Sequence, residues 1–153
     1  MADGVFNIAK GAVAEKIRDG AGNIVVLLLK ANEAAGTLVD RDTVSDLLDG
    51  SPGDNIEADF TNYARKTGIT GTVTVDDVND RVDCDIPDQT WTSAGGASNN
   101  SLTKLIVAYD EDASPSDDAQ MIPLTHHDFV LTTDTSDITA QVNAAGFFRA
   151  SAA

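Results

Sequence analysis

Hydrophobic positions near the N-terminus follow a helical period. Spacings of three and four residues place on one face the side chains of Phe6, Ala9, Val13 and Ile17. This pattern predicts an amphipathic helix within residues 1–22, with Asp3 as its N-cap and Asp19-Gly20 at its end. Such a helix either packs on its own domain or extends as an arm to a neighbouring subunit, and the sequence leaves both possibilities open.

Two further segments have the hydrophobic pattern of β-strands. Residues 24–29 are apolar without interruption, which is typical of a central strand that is covered on both faces. From residue 72 the period changes to two, and the alternating apolar residues are Val73, Val75, Val82, Cys84 and Ile86. With the polar stretch 76–80 between its halves, segment 72–86 is predicted to be an antiparallel hairpin with one apolar and one acidic face. Cys84 lies on the apolar face, so we expect a buried thiol rather than a reactive one.

The remaining chain alternates between short apolar runs and polar turns. A short helix is predicted at 43–48, capped by Asp42 and stopped by the Gly- and Pro-containing residues 50–53. Further strands are predicted at 104–109, 121–124, 128–132, 138–142 and 147–149. Residues 93–101 predict a flexible surface loop, and residues 110–118 predict an acidic loop.

These elements predict a mainly β fold, an antiparallel β-sandwich or open barrel, with one short helix besides the N-terminal one. The predicted organisation is an N-terminal helical arm at 1–22, a single β domain at 23–150 and a C-terminal tail at 151–153. At 153 residues the chain is long enough to fold without a metal or disulfide staple.

The charge balance limits the partners that the chain can bind. Ten basic residues stand against 25 acidic ones, of which 21 are aspartates, and the formal net charge is -15. This charge repels phosphate backbones and anionic membranes, which argues against nucleic-acid and membrane partners. Either an acidic surface that faces a partner or adaptation to high salt explains the balance. The N-terminus lacks the pattern of a secretory signal, and we expect a soluble protein made in the host cytoplasm.

The sequence contains no residue pattern that indicates a catalytic site. His126 and His127 are the only histidines, and neighbours on a strand point to opposite faces, so they are expected to form a surface pair rather than a zinc site. No nucleophile elbow and no phosphate-binding glycine loop is present in the sequence. We therefore expect a protein that is not an enzyme and needs no cofactor.

Calcium is the metal that the sequence fits best. Asp110, Asp112 and Asp118 supply hard oxygen donors in the acidic loop, although Pro115 and Met121 occupy positions where an EF-hand needs Gly and Glu. The hairpin stretch 76–80 is a second candidate. The alternative is that both loops are ordinary solvated acidic turns.

Four segments together carry a family resemblance. They are FTNYARK at 60–66, the hairpin 72–86 that runs into DQTWT at 88–92, LIVAYD at 105–110, and NAAG at 143–146 followed by two phenylalanines. Over residues 24–150 the chain resembles a family of small structural proteins encoded in tailed-phage genomes. It departs from that family in its long acidic loop at 110–118 and in an insertion-like segment at 49–57.

The resemblance implies a place in the virion. Similar proteins are described as head decoration, minor capsid or minor tail proteins, so the expected function is a capsid decoration subunit that binds the major capsid protein. A trimer is expected on symmetry grounds. The alternatives are a minor tail or head–tail connector protein, or a β-sandwich module that binds a receptor or carbohydrate.

Contacts with a partner are expected from aromatic residues, arginines and residues near the ends of the chain. The interface candidates are Phe6, Val13, Ile17, Tyr63, Arg65, Phe148 and Arg149. Tyr63 and Arg65 are expected to share one face of an extended segment, where Arg65 can pair with a carboxylate. Trp91 and Tyr109 are either core anchors or interface residues.

Overall fold

The computed structural model describes residues 4–6, 13–19, 22–49, 54–111 and 117–151. Within them the elements follow one another as β1 (Gly4–Val5), α1 (Val13–Asp19), β2 (Ile24–Ala31), α2 (Ala35–Leu38), α3 (Val44–Leu48), β3 (Ile56–Glu57), β4 (Lys66–Ile69), β5 (Thr72–Asp76), β6 (Arg81–Asp85), β7 (Gln89–Trp91), β8 (Ser101–Tyr109), β9 (Ile122–Thr132), β10 (Ile138–Ala140) and β11 (Phe148–Ser151).

The main sheet is built around the continuous apolar strand β2. Its order is β1-β9-β8-β2-β3, and β4 also pairs with β2. Strands β2 and β8 pair without a break from Ile24 opposite Tyr109 to Leu29 opposite Lys104. Every side chain from Ile24 to Leu29 is at most 2% exposed, so both faces of the sheet are covered. The prediction of a central strand at 24–29 is confirmed.

Strand β9 is one strand of 11 residues, where the sequence predicted two short runs. Two residues between those runs, Thr125 and His126, are each 1% exposed, and His126 lies opposite Ile106. At the start of the second run, Asp128 lies opposite Lys104 and forms a salt bridge with it. The predicted surface position of His126 is wrong, because its side chain is 1% exposed and its ring meets Phe6 edge to face. His126 and His127 do point to opposite faces, as expected from their neighbouring positions in a strand.

Two smaller sheets complete the fold. One pairs β10 with β7, and the other has the order β11-β6-β5. All strand pairs are antiparallel. The predicted mainly β, antiparallel, sandwich-like fold is confirmed, and the described strands do not close into a barrel. No helix in the described part of the chain is long and apolar enough to span a membrane.

The N-terminal segment differs from the single helix that was predicted. Gly4 and Val5 form a strand against His126 and Thr125, and the Phe6 amide donates to the Leu124 carbonyl (3.2 Å). Phe6 therefore does not lie in the helix. Helix α1 carries the second half of the predicted apolar face, and its strongest contacts are with β5 and β6. Asp3 and Ala9 lie outside the described residues.

The predicted helix at 43–48 is present, but its cap is one residue later than expected. Thr43 is the N-cap of α3, and its hydroxyl accepts a hydrogen bond from the Asp46 amide (3.0 Å). Asp42 instead donates its own amide to the Asp46 carboxylate. Helix α2 was not predicted, because its sequence AGTL is too short to show a period.

The loop at 93–101, predicted to be flexible, is packed and hydrogen-bonded. Ala94 and Asn100 are buried, and the Asn100 amide donates to the Thr133 hydroxyl (2.9 Å). The loop is also joined to residue 61, because the Gly95 amide donates to the Thr61 carbonyl (2.9 Å). Its polar composition reflects hydrogen bonding within the fold.

Candidate protein-binding surface

The three-stranded sheet β11-β6-β5 presents an apolar face whose outer end is open to solvent. Direct cross-strand partners place Val73, Cys84 and Phe148 in one row and Val75, Val82 and Ala150 in the next. Cys84 is fully buried, and Val73 and Phe148 pack against the core. In the next row Val75 is 63% exposed, although it belongs to the same apolar face. The apolar face thus extends beyond the part that the core covers.

The turn between β5 and β6 adds a second exposed valine. Val78 is 90% exposed, the highest value among the large hydrophobic residues described. The Asp76 carboxylate fixes this turn, because it accepts hydrogen bonds from the amides of Val78 and Asn79 (both 3.2 Å) and from the Asn79 side chain (2.7 Å). These bonds, with the Asn79 side chain first, lower the pKa of Asp76 below its ordinary value. Val78 is therefore held outward by an ordered turn.

Carboxylates surround these valines. Asp76, Asp77 and Asp80 lie in the same turn, and Asp77 and Asp80 are exposed. Arg81 pairs with Asp76 (3.0 Å) and with Asp83 (3.3 Å), so its positive charge is balanced within the sheet. We refer to Val75, Val78, Val82 and Ala150, with these flanking aspartates, as the hairpin surface. An exposed apolar patch with a polar rim is typical of a protein-binding site.

The opposite face of this sheet is polar, as predicted for the hairpin. Asp83 lies opposite Thr74 on one side and Arg149 on the other. The guanidinium of Arg149 donates to the Asp83 carboxylate, and this hydrogen bond raises the pKa of Arg149. Arg149 was an interface candidate, and the structure places it in this ion pair on the acidic face, while Phe148 packs against the core.

Three other interface candidates are buried inside the chain. Phe6, Val13 and Ile17 are 0%, 2% and 0% exposed and belong to the hydrophobic core. A Cβ atom on Gly71, at the start of the hairpin, would collide with the Ile17 side chain, which shows how closely α1 packs there. These residues are therefore buried against the chain's own core, and α1 packs on its own domain in this structure.

Tyr63 and Arg65 form an internal polar cluster. The Tyr63 hydroxyl donates to Glu57 Oε1 (2.8 Å) and accepts from the Leu28 amide (3.1 Å). Arg65 binds Glu57 through Nε (2.8 Å) and Nη2 (2.7 Å), and it also binds Asp118 through Nη1 and Nη2. The predictions that the two residues share a face and that Arg65 pairs with a carboxylate are confirmed.

The contacts of this cluster show that Tyr63 and Arg65 stabilise the fold. Burial, followed by the charge of Glu57, raises the pKa of the Tyr63 hydroxyl, so the phenol stays protonated. The Asp118 carbonyl accepts from the Ser45 amide (2.8 Å) at the start of α3. Through Asp118, Arg65 thus links β3, the segment before β4 and α3.

The calcium candidates do not come together as a site in the described residues. Asp118 is bound to Arg65, and Asp110 is 5% exposed, with its amide donating to the Asn23 carbonyl (2.8 Å). Asp112 lies outside the described residues. Among the residues that are described, no group of three or more His, Cys, Asp or Glu side chains is arranged to hold a metal ion.

The single cysteine and the two aromatic candidates are core residues. Cys84 is fully buried, and burial raises the pKa of its thiol to about 11, which keeps it protonated at neutral pH. Trp91 is 1% exposed, and its indole N–H donates to the Ala64 carbonyl (2.8 Å). Tyr109 is 7% exposed, and Lys16 Nζ lies 4.8 Å from the centre of its ring. The core interpretation of Trp91 and Tyr109 is confirmed.

Sequence reasoning missed the two residues that define the hairpin surface. Val73 and Val75 are equivalent in the alternating pattern, so nothing in the sequence marks Val75 as the exposed one. Val78 did carry a signal, because it is a large apolar residue inside an otherwise polar turn.

Comparison of the chain with protein-family models, with curated proteins and with solved structures finds no match.

Proposed function

We propose that this chain is a virion protein that decorates the outer surface of a tailed-phage head, and that it acts by binding rather than by catalysis. The observation that carries the proposal is the hairpin surface, an exposed pair of valines on an ordered turn with carboxylates around it. The resemblance of residues 24–150 to small phage structural proteins supports the same assignment.

The partner in this proposal is the major capsid protein. Two exposed valines offer an apolar centre, and burial of one such side chain stabilises a complex by roughly 1.5–3 kcal/mol. The surrounding aspartates and the net charge of -15 fit a capsid surface whose apolar pocket has basic residues at its edge. In this proposal the copies on the shell are related by symmetry and form trimers. Because many copies bind together, the affinity of each single contact can be low.

Co-sedimentation tests the proposal. Purified protein is mixed with shells assembled from the major capsid protein of the same genome, and bound copies are counted per particle. The expected result is saturation at hundreds of copies together with a higher melting temperature of the shell. Saturation at a handful of copies would assign the protein to the tail or connector, and no binding to shells would overturn the proposal.

A matched pair of variants tests the hairpin surface itself. Val78→Ser removes the apolar side chain at the turn, and Val130→Ser makes the same change at an 80% exposed valine in β9. Neither change should alter the free energy of unfolding by more than about 0.5 kcal/mol, because both side chains are exposed. We expect Val78→Ser to weaken shell binding about tenfold and Val130→Ser to leave it unchanged. Equal binding by both variants would show that another surface makes the contact.

A further inference from the structure

A cavity of about 440 Å³ lies between the main sheet and the C-terminal half of the chain. Val26, Leu105 and Val107 form its wall on the main sheet, and Ile86, Ala140 and Phe147 line the other side. Cavities that bind small molecules occupy about 300–1,000 Å³ and have mainly apolar walls with a few polar groups. The volume and the lining both fall within this description.

The second wall is held in place by specific hydrogen bonds. The Val142 amide donates to the Asp88 carboxylate (2.8 Å), and the Phe147 amide donates to the Cys84 carbonyl (3.0 Å). Between them Gly146 has φ 82°, and a Cβ atom there would collide with the backbone of Cys84. Segment 142–147 is thus fixed to β6 at Cys84 and to Asp88 just after that strand, and the cavity is part of the ordered fold.

Polar groups and rings in the wall define the chemistry of a ligand. Uncharged polar side chains in the lining come from Gln89, Gln141 and Asn143, and the His127 ring meets Phe147 edge to face with centroids 6.4 Å apart. No lysine or arginine is among the described lining residues, and the lining carboxylate of Asp128 is already paired with Lys104. Together with the net charge of -15, this composition disfavours an anion.

We propose that this cavity binds a small uncharged molecule that combines one aromatic ring with one hydrogen-bonding group. The rings of Phe147 and His127 supply edges and faces for stacking on an aromatic ligand. Gln89 Nε2 already donates to the Pro87 carbonyl (2.6 Å) and His127 Nε2 bonds with the Thr125 hydroxyl (3.0 Å), so the Gln89 carboxamide oxygen is the group proposed to accept from a single hydroxyl or amine. This site is separate from the hairpin surface and does not depend on the virion assignment.

A titration followed by amide NMR tests the proposal on the full chain. Benzyl alcohol and benzoate share a ring and differ in charge, so they serve as the two probes. We expect benzyl alcohol to give saturable shifts confined to residues that line the cavity, with a dissociation constant on the order of 1 mM. Benzoate should bind at least about tenfold more weakly, since an ionised carboxylate loses its hydration in a mainly apolar cavity whose described lining offers no cation to pair with it. Equal binding of both probes would overturn the predicted selectivity.

Two alanine positions give a matched control. Ala140 lines the cavity and is 6% exposed, whereas Ala144 is exposed and does not line it. Ala140→Leu should fill part of the cavity and weaken benzyl alcohol binding at least about tenfold, and Ala144→Leu should leave it unchanged. If Ala140→Leu loses the dispersed spectrum of the folded protein, Val142→Phe replaces it as the filling variant. Absence of saturable shifts, or shifts that persist in the filled variant, would overturn the proposal.

Discussion

Replacing Trp91 with alanine should be among the most destabilising single changes in this protein. The side chain is 1% exposed, and its indole N–H donates to the Ala64 carbonyl at 2.8 Å. Truncation of a buried Trp costs about 3–5 kcal/mol, through lost apolar burial and the cavity that remains. The lost hydrogen bond adds at most about 1 kcal/mol, because Ala64 is an exposed residue and water can replace the indole at its carbonyl.

A conservative variant separates these two contributions. Trp91→Phe keeps most of the ring but removes the N–H group, so we expect a loss of about 1–2 kcal/mol. Since domains are usually stable by only about 5–15 kcal/mol, Trp91→Ala should lower the melting temperature by about 10 °C or more. Thr92→Ala, at the exposed neighbouring position, is the control and should change the stability by less than about 0.5 kcal/mol.

Urea unfolding followed by far-ultraviolet circular dichroism is the appropriate assay. Trp91 is the only tryptophan, so fluorescence would disappear with the residue that is being tested. A loss below about 1 kcal/mol for Trp91→Ala would refute the core assignment. If that small loss were accompanied by weaker shell binding, Trp91 would instead belong to an interface.

Three further changes should follow from the polar contacts of the fold. Arg65→Met should cost about 2–3 kcal/mol in urea unfolding, between the values for exposed and buried ion pairs, because it removes the cation from the partly buried carboxylates of Glu57 and Asp118. Full stability in this variant would contradict the structural role. The pKa of the Cys84 thiol is raised to about 11 from an ordinary value of 9.0, so its contribution to stability is complete below pH 9 and is lost as the pH rises toward 11. The wild type should therefore lose about 2–3 kcal/mol relative to Cys84→Ala over that range, and parallel pH profiles of the two proteins would contradict this. The hydrogen bond from Arg41 holds the pKa of Glu33 below its usual value, so wild-type stability should fall as the pH drops below about 4.5. Glu33→Gln should show a shallower decline over that range, and identical acid profiles of the two proteins would contradict this prediction.

The elements predicted from the sequence are those whose pattern is local. Uninterrupted apolar residues identified β2, and alternation identified β5 and β6, because each strand is specified by its own residues. The burial of Cys84 also follows from its local position on an apolar strand face, whereas for Trp91 the sequence left a core and an interface position open. That Arg65 pairs with a carboxylate was predicted from the abundance of acidic residues, but its internal position was not, because it was also named an interface candidate.

Features that depend on distant partners were not visible in the sequence. Strand β9 was divided in two because the polar residues 125–127 look like a loop, whereas Phe6 from another segment and Ile106 from β8 accommodate His126 in the sheet. Gly4 and Val5 were assigned to a helix because only the pairing with β9 makes them a strand. The exposure of Val75 depends in the same way on where the core ends. In each of these cases the deciding contact joins residues that are far apart in the chain.

The distribution of charge connects the fold with the proposed interaction. At least seven of the ten lysine and arginine side chains lie within salt-bridge distance of a carboxylate of the same chain. Lys66 is placed over the Trp91 ring, with Nζ 5.2 Å from its centre. The few cations are thus used inside the fold, and the surplus of acidic residues is left on the surface. At the hairpin surface Arg81 already pairs with Asp76, and the exposed carboxylates of Asp77 and Asp80 are the ones that a basic partner would meet. Its binding should therefore weaken as salt is raised, because exposed charges are screened within about 10 Å at 0.1 M ionic strength, whereas the contribution of the two valines should persist.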